Sequence, residues 1–330
     1  MENQFILSSS PHIKDAAKTK AIMYTVIAAL LPSGIAGIYF FGWNSLFLII
    51  AGIVFAVATE ALVQKLMNQK ITILDGSAIL TGLLLAYNLP PDVPIWIPII
   101  GSIVAIAIAK QVYGGLGHNP FNPALVGRVF LLLSWPVYMT TKWIVPLDSI
   151  DAITNATPLS IIKQAASADA SPEILFLRDK LMKSEIIKDL FFGKVNGCIG
   201  ETSALLLILG GLFLIYMDYI DWRVPVSYLG SFSIFIWIFG NKIFFSGPVL
   251  FHLFAGGIIL GAFFMATDPV TSPMTRRGRI IFGIGCGVIT GVIRIYGTYP
   301  EGTSFAILIM NAFTPLIDKY ITPDKFGVQK

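Results

Sequence analysis

The chain has 330 residues, of which 55% are hydrophobic and only 13% are charged, and its mean hydropathy is +0.76. Because soluble globular domains carry about 25% charged residues, this composition excludes a soluble globule and predicts a protein that crosses a membrane several times. The formal net charge of only +4 argues against nucleic acid as a partner. Two cysteines, Cys198 and Cys286, are too few for a cluster that takes four. The three histidines show no metal-ligand spacing, so we predict no bound metal.

Ten apolar runs come close to the length of about 20 residues that a membrane-spanning helix needs. The runs cover residues 21–41, 45–67, 76–89, 94–112, 121–138, 203–220, 225–241, 249–267, 279–297 and 303–320. The third run ends in AYNLPPDVP and the eighth in MATDPVTSP. The prolines in these endings predict helices that break or stop within the membrane. We therefore expect an all-α polytopic membrane protein with about ten transmembrane helices.

The two broken segments resemble each other. GLLLAYNLP (82–90) aligns with GAFFMATDP (261–269) at a constant offset in the chain. A repeat of five spans is odd-numbered, so its second copy enters the membrane in the opposite orientation, as in many transporters. We predict two inverted five-helix repeats, residues 1–138 and 201–330, joined by a long extracytoplasmic loop of residues 139–200.

The distribution of Lys and Arg predicts which side each loop occupies. Thirteen of these residues fall in the short segments on the side of the N-terminus, whereas the short loops of the other side hold only Lys242 and Arg294. Positively charged short loops stay on the cytoplasmic side. Both termini are therefore expected in the cytoplasm, and the 139–200 loop is expected outside.

A polar stretch within that loop, DAITNATPLS (151–160), allows three interpretations. Thr157 followed by Pro158 is typical of a helix start, with Thr157 as the N-cap and Pro158 as the first helical residue. Asn155, Ala156 and Thr157 also fit a glycosylation sequon. The third interpretation is chemical: a threonine that carries a phosphate-linked cofactor.

A second Gly/Asn/Pro-rich stretch, GGLGHNPFNPALVGRVFLLLSWP, covers residues 114–136 and leads into the fifth run. Asn122 and Pro123 form another candidate helix start. The side chains of Asn119 and Asn122 also offer amide donors and acceptors near the membrane. From the residues alone, a capping turn and a polar binding site both remain open.

Ionisable residues in apolar runs are functional candidates because charge is costly in a membrane. Glu60 lies in the second run, and Asp268 directly follows the eighth. We propose these two carboxylates for an ion pathway; for Asp268, a helix cap or an ion pair is the alternative.

The two polar stretches, with MATDPVTSP and YPEGTSFAILIMNAFTPLID, resemble one protein family over nearly the whole chain. This family contains RnfD, a membrane component of the Rnf complex, and NqrB, a membrane component of the sodium-translocating NADH:quinone oxidoreductase. The resemblance implies a flavoprotein subunit that passes electrons between flavins during ferredoxin:NAD⁺ oxidoreduction coupled to Na⁺ or H⁺ translocation. Such a subunit is not expected to be active alone. The alternative is a non-redox channel or carrier with the same five-plus-five fold.

The resemblance also implies cofactors. The family joins FMN by a phosphoester to the last threonine of a motif close to D-x-x-[ST]-G-A-T, and the corresponding residues here are Asp151, Thr154, Asn155, Ala156 and Thr157. Covalent FMN is thus implied on Thr157. Asn155 replaces the usual glycine, and Asn tolerates left-handed backbone geometry better than most residues.

Family members also hold a non-covalent riboflavin, for which Asn119 and Asn122 are the candidate contacts here. The implied partners are the other Rnf subunits, among them a second subunit with covalent FMN, a flavin transferase for maturation, and membrane lipid. The implied location is the cytoplasmic (inner) membrane of a prokaryote.

Overall fold

The computed structural model describes residues 19–143, 157–165, 184–241 and 243–322, together with positions 172, 174 and 176. These residues form helices and turns, with no β-strand among them. The helices before the polar loop are α1 (Thr19–Phe41), α2 (Trp43–Leu66), α3 (Ser77–Tyr87), α4 (Trp96–Ile103), α5 (Pro123–Ser134) and α6 (Pro136–Thr141). The later helices are α7 (Pro158–Ala165), α8 (Ser184–Phe192), α9 (Ala204–Tyr216), α10 (Arg223–Phe239), α11 (Val249–Phe254), α12 (Ile258–Leu260), α13 (Arg276–Tyr296) and α14 (Thr303–Tyr320). A 3-10 turn forms at Ile73–Asp75, and π-helical turns extend α4 over Val104–Gln111 and α12 over Gly261–Met265.

The helices are those of a multi-pass membrane protein. Within the described residues, α1, α2 and α13 are long and apolar enough to cross a membrane, and five shorter apolar helices accompany them: α3, α4 with its extension, α5, α9 and α10. Large apolar side chains such as Ile35, Phe47 and Leu209 point outward, as expected of helices that contact lipid rather than water. The expected all-α polytopic fold is therefore confirmed.

Each of the ten apolar runs contains helix, but two runs are divided. The run 121–138 stops at Ser134 and restarts at Pro136, because proline lacks the N–H that would continue the hydrogen-bond ladder. The run 249–267 is interrupted between α11 and α12, where Gly256 has a φ of 76°. The predicted stops after the third and eighth runs are confirmed, since α3 ends at Tyr87 and the second π-helical turn ends at Met265.

Two glycines bring α2 and α3 into backbone contact. A Cβ added at Gly82 would lie 2.5 Å from the carbonyl oxygen of Gly52, and one added at Gly52 would lie 2.9 Å from that of Gly82. Close approach at small residues is a common way for membrane helices to pack, because lipid offers no hydrophobic drive between them.

The two segments that align in sequence meet in the interior. Asn88 Nδ2 lies 3.8 Å from Met265 Sδ, and Asn122 Nδ2 donates to the Met265 carbonyl oxygen at 3.3 Å. One core of buried apolar side chains, including Leu85, Phe232 and Phe282, extends through both parts. Contact between the two aligned segments is consistent with two related halves. The division into inverted repeats, residues 1–138 and 201–330, stays a prediction.

Candidate flavin site around Thr157

Thr157 caps α7, as the sequence predicts. Its side chain is buried, its Oγ1 accepts from the Ser160 N–H at 3.3 Å, and the Ser160 hydroxyl donates to the Thr157 carbonyl oxygen at 2.8 Å. The helix α7 begins at Pro158. In this first turn Pro158 has no N–H, and the N–H groups of Ser160 and Ile161 donate to Thr157 itself, so the positive dipole end of α7 is what would stabilise an anion on Thr157. The other residues of the attachment motif, Asp151, Thr154, Asn155 and Ala156, lie outside the described residues.

Beside Thr157 is a cavity of about 540 Å³, within the range of about 300–1,000 Å³ that small-molecule pockets occupy. Its walls combine aromatic and cationic side chains, among them Arg128, Trp143, Lys163, Tyr299 and Phe305. The rings of Tyr299 and Phe305 are stacked, with centroids 5.3 Å apart and planes at 26°. Tyr299 and Phe305 thus contribute aromatic surface to the same cavity that Thr157 lines.

Two cations line the cavity. Lys163 Nζ donates to the Tyr299 carbonyl oxygen at 2.7 Å. Burial lowers the pKa of Lys163, and the positive charge of Arg294 lowers it further. Arg128 is buried and pairs with Glu301, with 2.7 Å between Nη2 and Oε2. A phosphate bound to Thr157 would therefore enter a site that already carries positive charge.

Behind Arg128 lies a group of ionisable side chains that the sequence does not single out. The Cys198 sulfur and carboxylate oxygens of Glu201 and Glu301 lie within 4.8 Å of one another. Arg128 Nη1 donates to Cys198 Sγ at 3.5 Å, and the Cys198 N–H donates to Glu201 Oε1 at 2.9 Å. Since the guanidinium contacts both Cys198 and Glu301, we interpret the group as a charge cluster centred on Arg128 rather than as a metal site.

The turn that carries Cys198 and Glu201 is fixed to the first part of the chain. The Ile199 and Gly200 N–H groups donate to the carbonyl oxygens of Leu89 and Tyr87 at 3.1 and 2.9 Å. A Cβ on Gly200 would lie 2.2 Å from the Tyr87 Cβ, so only glycine allows this approach. The broken end of α3 therefore positions the Glu201 carboxylate.

Glu201 precedes α9 and lies outside the membrane-spanning helices. Burial raises the pKa of its carboxyl to about 8, and the neighbouring Glu301 contributes to the rise. Burial also raises the pKa of the Cys198 thiol, because a low-dielectric environment disfavours the charged form of an acid. The Cys198 thiol is therefore neutral, and the Glu201 carboxyl holds its proton to a higher pH than an ordinary carboxyl does.

The two candidate riboflavin contacts, Asn119 and Asn122, differ in whether their side-chain amides already make hydrogen bonds within the protein. Asn122 is the N-cap of α5, because its Oδ1 accepts from the N–H groups of Ala124 and Leu125. Because Nδ2 also donates to the Met265 carbonyl oxygen, both polar atoms of the Asn122 amide already make hydrogen bonds. Asn119 Oδ1 is buried and has no hydrogen-bond partner in the described residues. Both residues line a cavity of about 70 Å³, which is smaller than a flavin-sized pocket, so a riboflavin does not fit it as it stands.

The two candidate ion-pathway carboxylates also differ. Glu60 is paired with Lys110, with 2.7 Å between Oε1 and Nζ, and the Gln111 side chain donates to the same oxygen at 2.8 Å. This ion pair gives Glu60 a structural partner, and its place in an ion pathway stays a prediction. Asp268 accepts from the Val270 N–H at 3.1 Å and lines the same small cavity as Asn119. The structure thus separates Glu60 and Asp268 from the Thr157 site.

Comparison with known proteins agrees with the resemblance. The model of the NQR2, RnfD, RnfE family matches residues 6–327. The chain is 49% identical over 330 residues to the D component of the proton-translocating ferredoxin:NAD⁺ oxidoreductase complex of Clostridium ljungdahlii, covering 100% of this chain and 98% of the relative. It is 47% identical over 331 residues to the D component of the Na⁺-translocating ferredoxin:NAD⁺ oxidoreductase complex of Acetobacterium woodii, covering 100% and 97%.

A more distant relative is the D component of the ion-translocating oxidoreductase complex of Escherichia fergusonii, 38% identical over 362 residues and covering 99% of each chain. All three relatives align along nearly their full length, so the match is not confined to one segment. The chain belongs to the NQR2, RnfD, RnfE family.

Proposed function

We propose that this chain is the membrane flavoprotein subunit of a Rnf-type ferredoxin:NAD⁺ oxidoreductase and carries FMN as a phosphoester on Thr157. The names of its full-length relatives support membership of such a complex. The flavin part rests on one observation: the threonine that ends the attachment motif opens onto a flavin-sized cavity.

The residues present fit this cofactor. The Thr157 oxygen would carry the phosphate at the start of α7, where the positive end of the helix dipole favours an anion. Arg128 and Lys163 supply positive charge, and Tyr299 and Phe305 offer an aromatic surface to the ring system. Bound FMN would supply the one-electron chemistry that ordinary side chains lack.

The chain depends on partners for its electrons. Its sequence contains neither the four cysteines of an iron–sulfur centre nor a Gly-rich dinucleotide motif. We infer that electrons arrive from and leave to other Rnf subunits, one of which carries its own covalent FMN. A flavin transferase loads Thr157, and lipid covers the outward-facing apolar side chains.

We place the chain in the prokaryotic cytoplasmic membrane, with both termini in the cytoplasm and Thr157 on the outer side, following the distribution of Lys and Arg. Electron transfer is coupled to Na⁺ or H⁺ movement, as the two relatives' names suggest for those proteins. Asp268 is our candidate for the ion path. The riboflavin near Asn119 stays a prediction that requires the small cavity to widen.

Flavin attachment can be tested on a denaturing gel. The chain is expressed with a flavin transferase, and the gel is viewed under ultraviolet light beside Thr157→Ala and the matched control Ser160→Ala. Ser160 lines the same cavity, but its hydroxyl is not the motif threonine. We expect fluorescent bands for the wild type and Ser160→Ala and a dark band for Thr157→Ala.

A dark wild-type band, with the transferase active on a control protein, would contradict the proposal. Thr157 would then be a helix cap only, and the channel or carrier interpretation would replace the redox one.

A further inference from the structure

Among the described residues, three charged side chains line the large cavity beside Thr157: Arg128, Glu301 and Lys163. The first two compensate each other, with 2.7 Å between Arg128 Nη2 and Glu301 Oε2. The other end of the guanidinium, Nη1, donates to Cys198 Sγ at 3.5 Å. The positive charge that remains on the cavity wall is therefore that of Lys163.

Lys163 is held in place by uncharged groups. Its Nζ donates to the carbonyl oxygens of Tyr299 at 2.7 Å and of Arg294 at 3.5 Å. No carboxylate of the described residues forms an ion pair with it. Because an ammonium group has three N–H donors, Lys163 keeps one donor, and its whole charge, for a ligand of the cavity.

The position of Lys163 relates it to both ends of the site. Thr157 caps α7 and Lys163 lies six residues further along this helix, so their Cα atoms are about 9 Å apart along its axis at 1.5 Å per residue. Tyr299, whose carbonyl oxygen holds Lys163, carries one of the two stacked rings that line the cavity. Lys163 thus fixes a positive charge on the aromatic side of the cavity.

The size of the cavity brings any bound ring system close to this charge. A volume of about 540 Å³ corresponds to a space roughly 10 Å across, over which a unit charge still acts strongly inside a protein. A second cation, Arg294, does not line this cavity; its guanidinium donates to the carbonyl oxygens of His252 and Ala255. Lys163 is therefore the uncompensated charge nearest to a ligand.

We propose that Lys163 sets the redox potential of the flavin on Thr157, because its positive charge stabilises the negative charge that reduction brings into the cavity. This inference rests on the proposed function. Arg128 contributes less, since the carboxylate of Glu301 compensates its charge in the oxidised and reduced states alike.

The step needs one electron and no proton. A reduced one-electron carrier of a partner subunit is oxidised, and its electron enters the cavity. No bond forms or breaks at Lys163, and its ammonium group keeps all three protons. The lysine acts only through Coulomb attraction, which favours the reduced state over the oxidised one.

The test is a spectroelectrochemical titration of the full-length chain, expressed with a flavin transferase and purified in detergent. The signal of Thr157→Ala is subtracted, so that only the flavin on Thr157 is measured. At an effective dielectric constant of about 20, a unit charge about 10 Å away changes the ratio of reduced to oxidised flavin about tenfold. Solvent screens a half-buried side chain, so we expect this ratio, at a fixed potential, to fall about threefold to tenfold in Lys163→Met.

Two controls separate charge from structure. Lys163→Arg keeps the positive charge, and we expect it to keep the wild-type potential to within about twofold in this ratio; a tenfold change equals about 59 mV for one electron. Lys188→Met removes an exposed lysine of α8 that does not line the cavity, and we expect no change. A loss of packing alone would lower the potential in Lys163→Arg as well.

A second pair of variants leaves Lys163 untouched. Thr141 lines the same cavity and is exposed, and its hydroxyl bonds only within its own helix, to the Val137 carbonyl oxygen. Thr141→Glu adds a negative charge that opposes the lysine, so we expect a lower potential than in the uncharged Thr141→Gln. Equal potentials in these two variants would overturn the inference, because the charge of the cavity wall would then have no effect on the flavin.

The gel separates this inference from the proposed function. A fluorescent Lys163→Met band with the wild-type potential overturns the inference and leaves the flavin proposal intact. A dark Lys163→Met band beside a fluorescent wild type also overturns it, since Lys163 would then serve attachment. A dark wild-type band overturns the proposed function, and this inference falls with it.

Discussion

Replacing Lys110 with methionine removes one partner of the most buried ion pair in the described residues. Lys110 Nζ lies 2.7 Å from Glu60 Oε1 and 2.6 Å from Ser77 Oγ. The two charged side chains are only 2% and 1% exposed. The change keeps most of the length and apolar volume of the lysine, so its effect comes mainly from the lost charge.

The expected loss of stability follows from these contacts. Removing one partner of a buried pair costs about 3–5 kcal/mol, because the other charge stays buried without compensation. Two amides, Gln64 Nε2 at 3.3 Å and Gln111 Nε2 at 2.8 Å, still donate to Glu60, so we expect the lower end, about 3 kcal/mol. The double variant Glu60→Gln/Lys110→Met carries no charge here, and we expect it to lose only about 1 kcal/mol.

The assay is a double-mutant cycle on unfolding in detergent micelles. The control is Lys65→Met, which removes an exposed lysine near the end of α2 and should change stability by less than about 0.5 kcal/mol. We expect a coupling energy of about 2 kcal/mol or more between Glu60 and Lys110. Additive single variants would refute the structural role of this pair.

Two further predictions concern packing and pH. Gly82→Ala places a Cβ 2.5 Å from the Gly52 carbonyl oxygen, so we expect it to destabilise the micelle-solubilised protein by about 1–3 kcal/mol. The control Gly230→Ala has open space around its Cβ, and its stability should change by less than about 0.5 kcal/mol. Equal losses of stability in the two variants would contradict the close contact between α2 and α3. Because the folded-state pKa of Glu201 is raised to about 8, the neutral carboxyl favours folding at low pH, and this contribution is lost as the pH rises through that value. In the flavin-free Thr157→Ala background, the unfolding temperature should therefore fall from about pH 5.5 to about 8.5, and Glu201→Gln should reduce this fall; an unchanged profile would show that Glu201 does not titrate there.

The sequence predicts the helices well because hydropathy and proline are local signals. The ten runs, the stop at Tyr87 and the cap at Thr157 all depend on residues within one or two helical turns. Hydropathy does not predict the helix interruptions at Trp135 and Gly256, because the residues on both sides of each interruption are apolar. Pro136 was the available signal for the first of them.

The charge cluster could not be predicted in the same way. Arg128 is 70 residues from Cys198 and 173 from Glu301, and their contact depends on how the helices pack. Glu201 and Glu301 also lie outside the apolar runs, where a carboxylate is ordinary. The sequence gives a weak indication that Glu60 pairs with Lys110: both charges lie in apolar runs, where each needs a partner of opposite charge.

The ion pair between Arg128 and Glu301 has a consequence for biosynthesis. Ribosomes add about 5–20 residues per second, so Arg128 is made roughly 10–35 seconds before Glu301, which follows 173 residues later. During that interval the cation lacks its ion-pair partner Glu301. The contact between α5 and the segment before α14 can therefore form only after Glu301 has been translated. A chain that ends before residue 301 would lack this ion-pair partner of the buried Arg128.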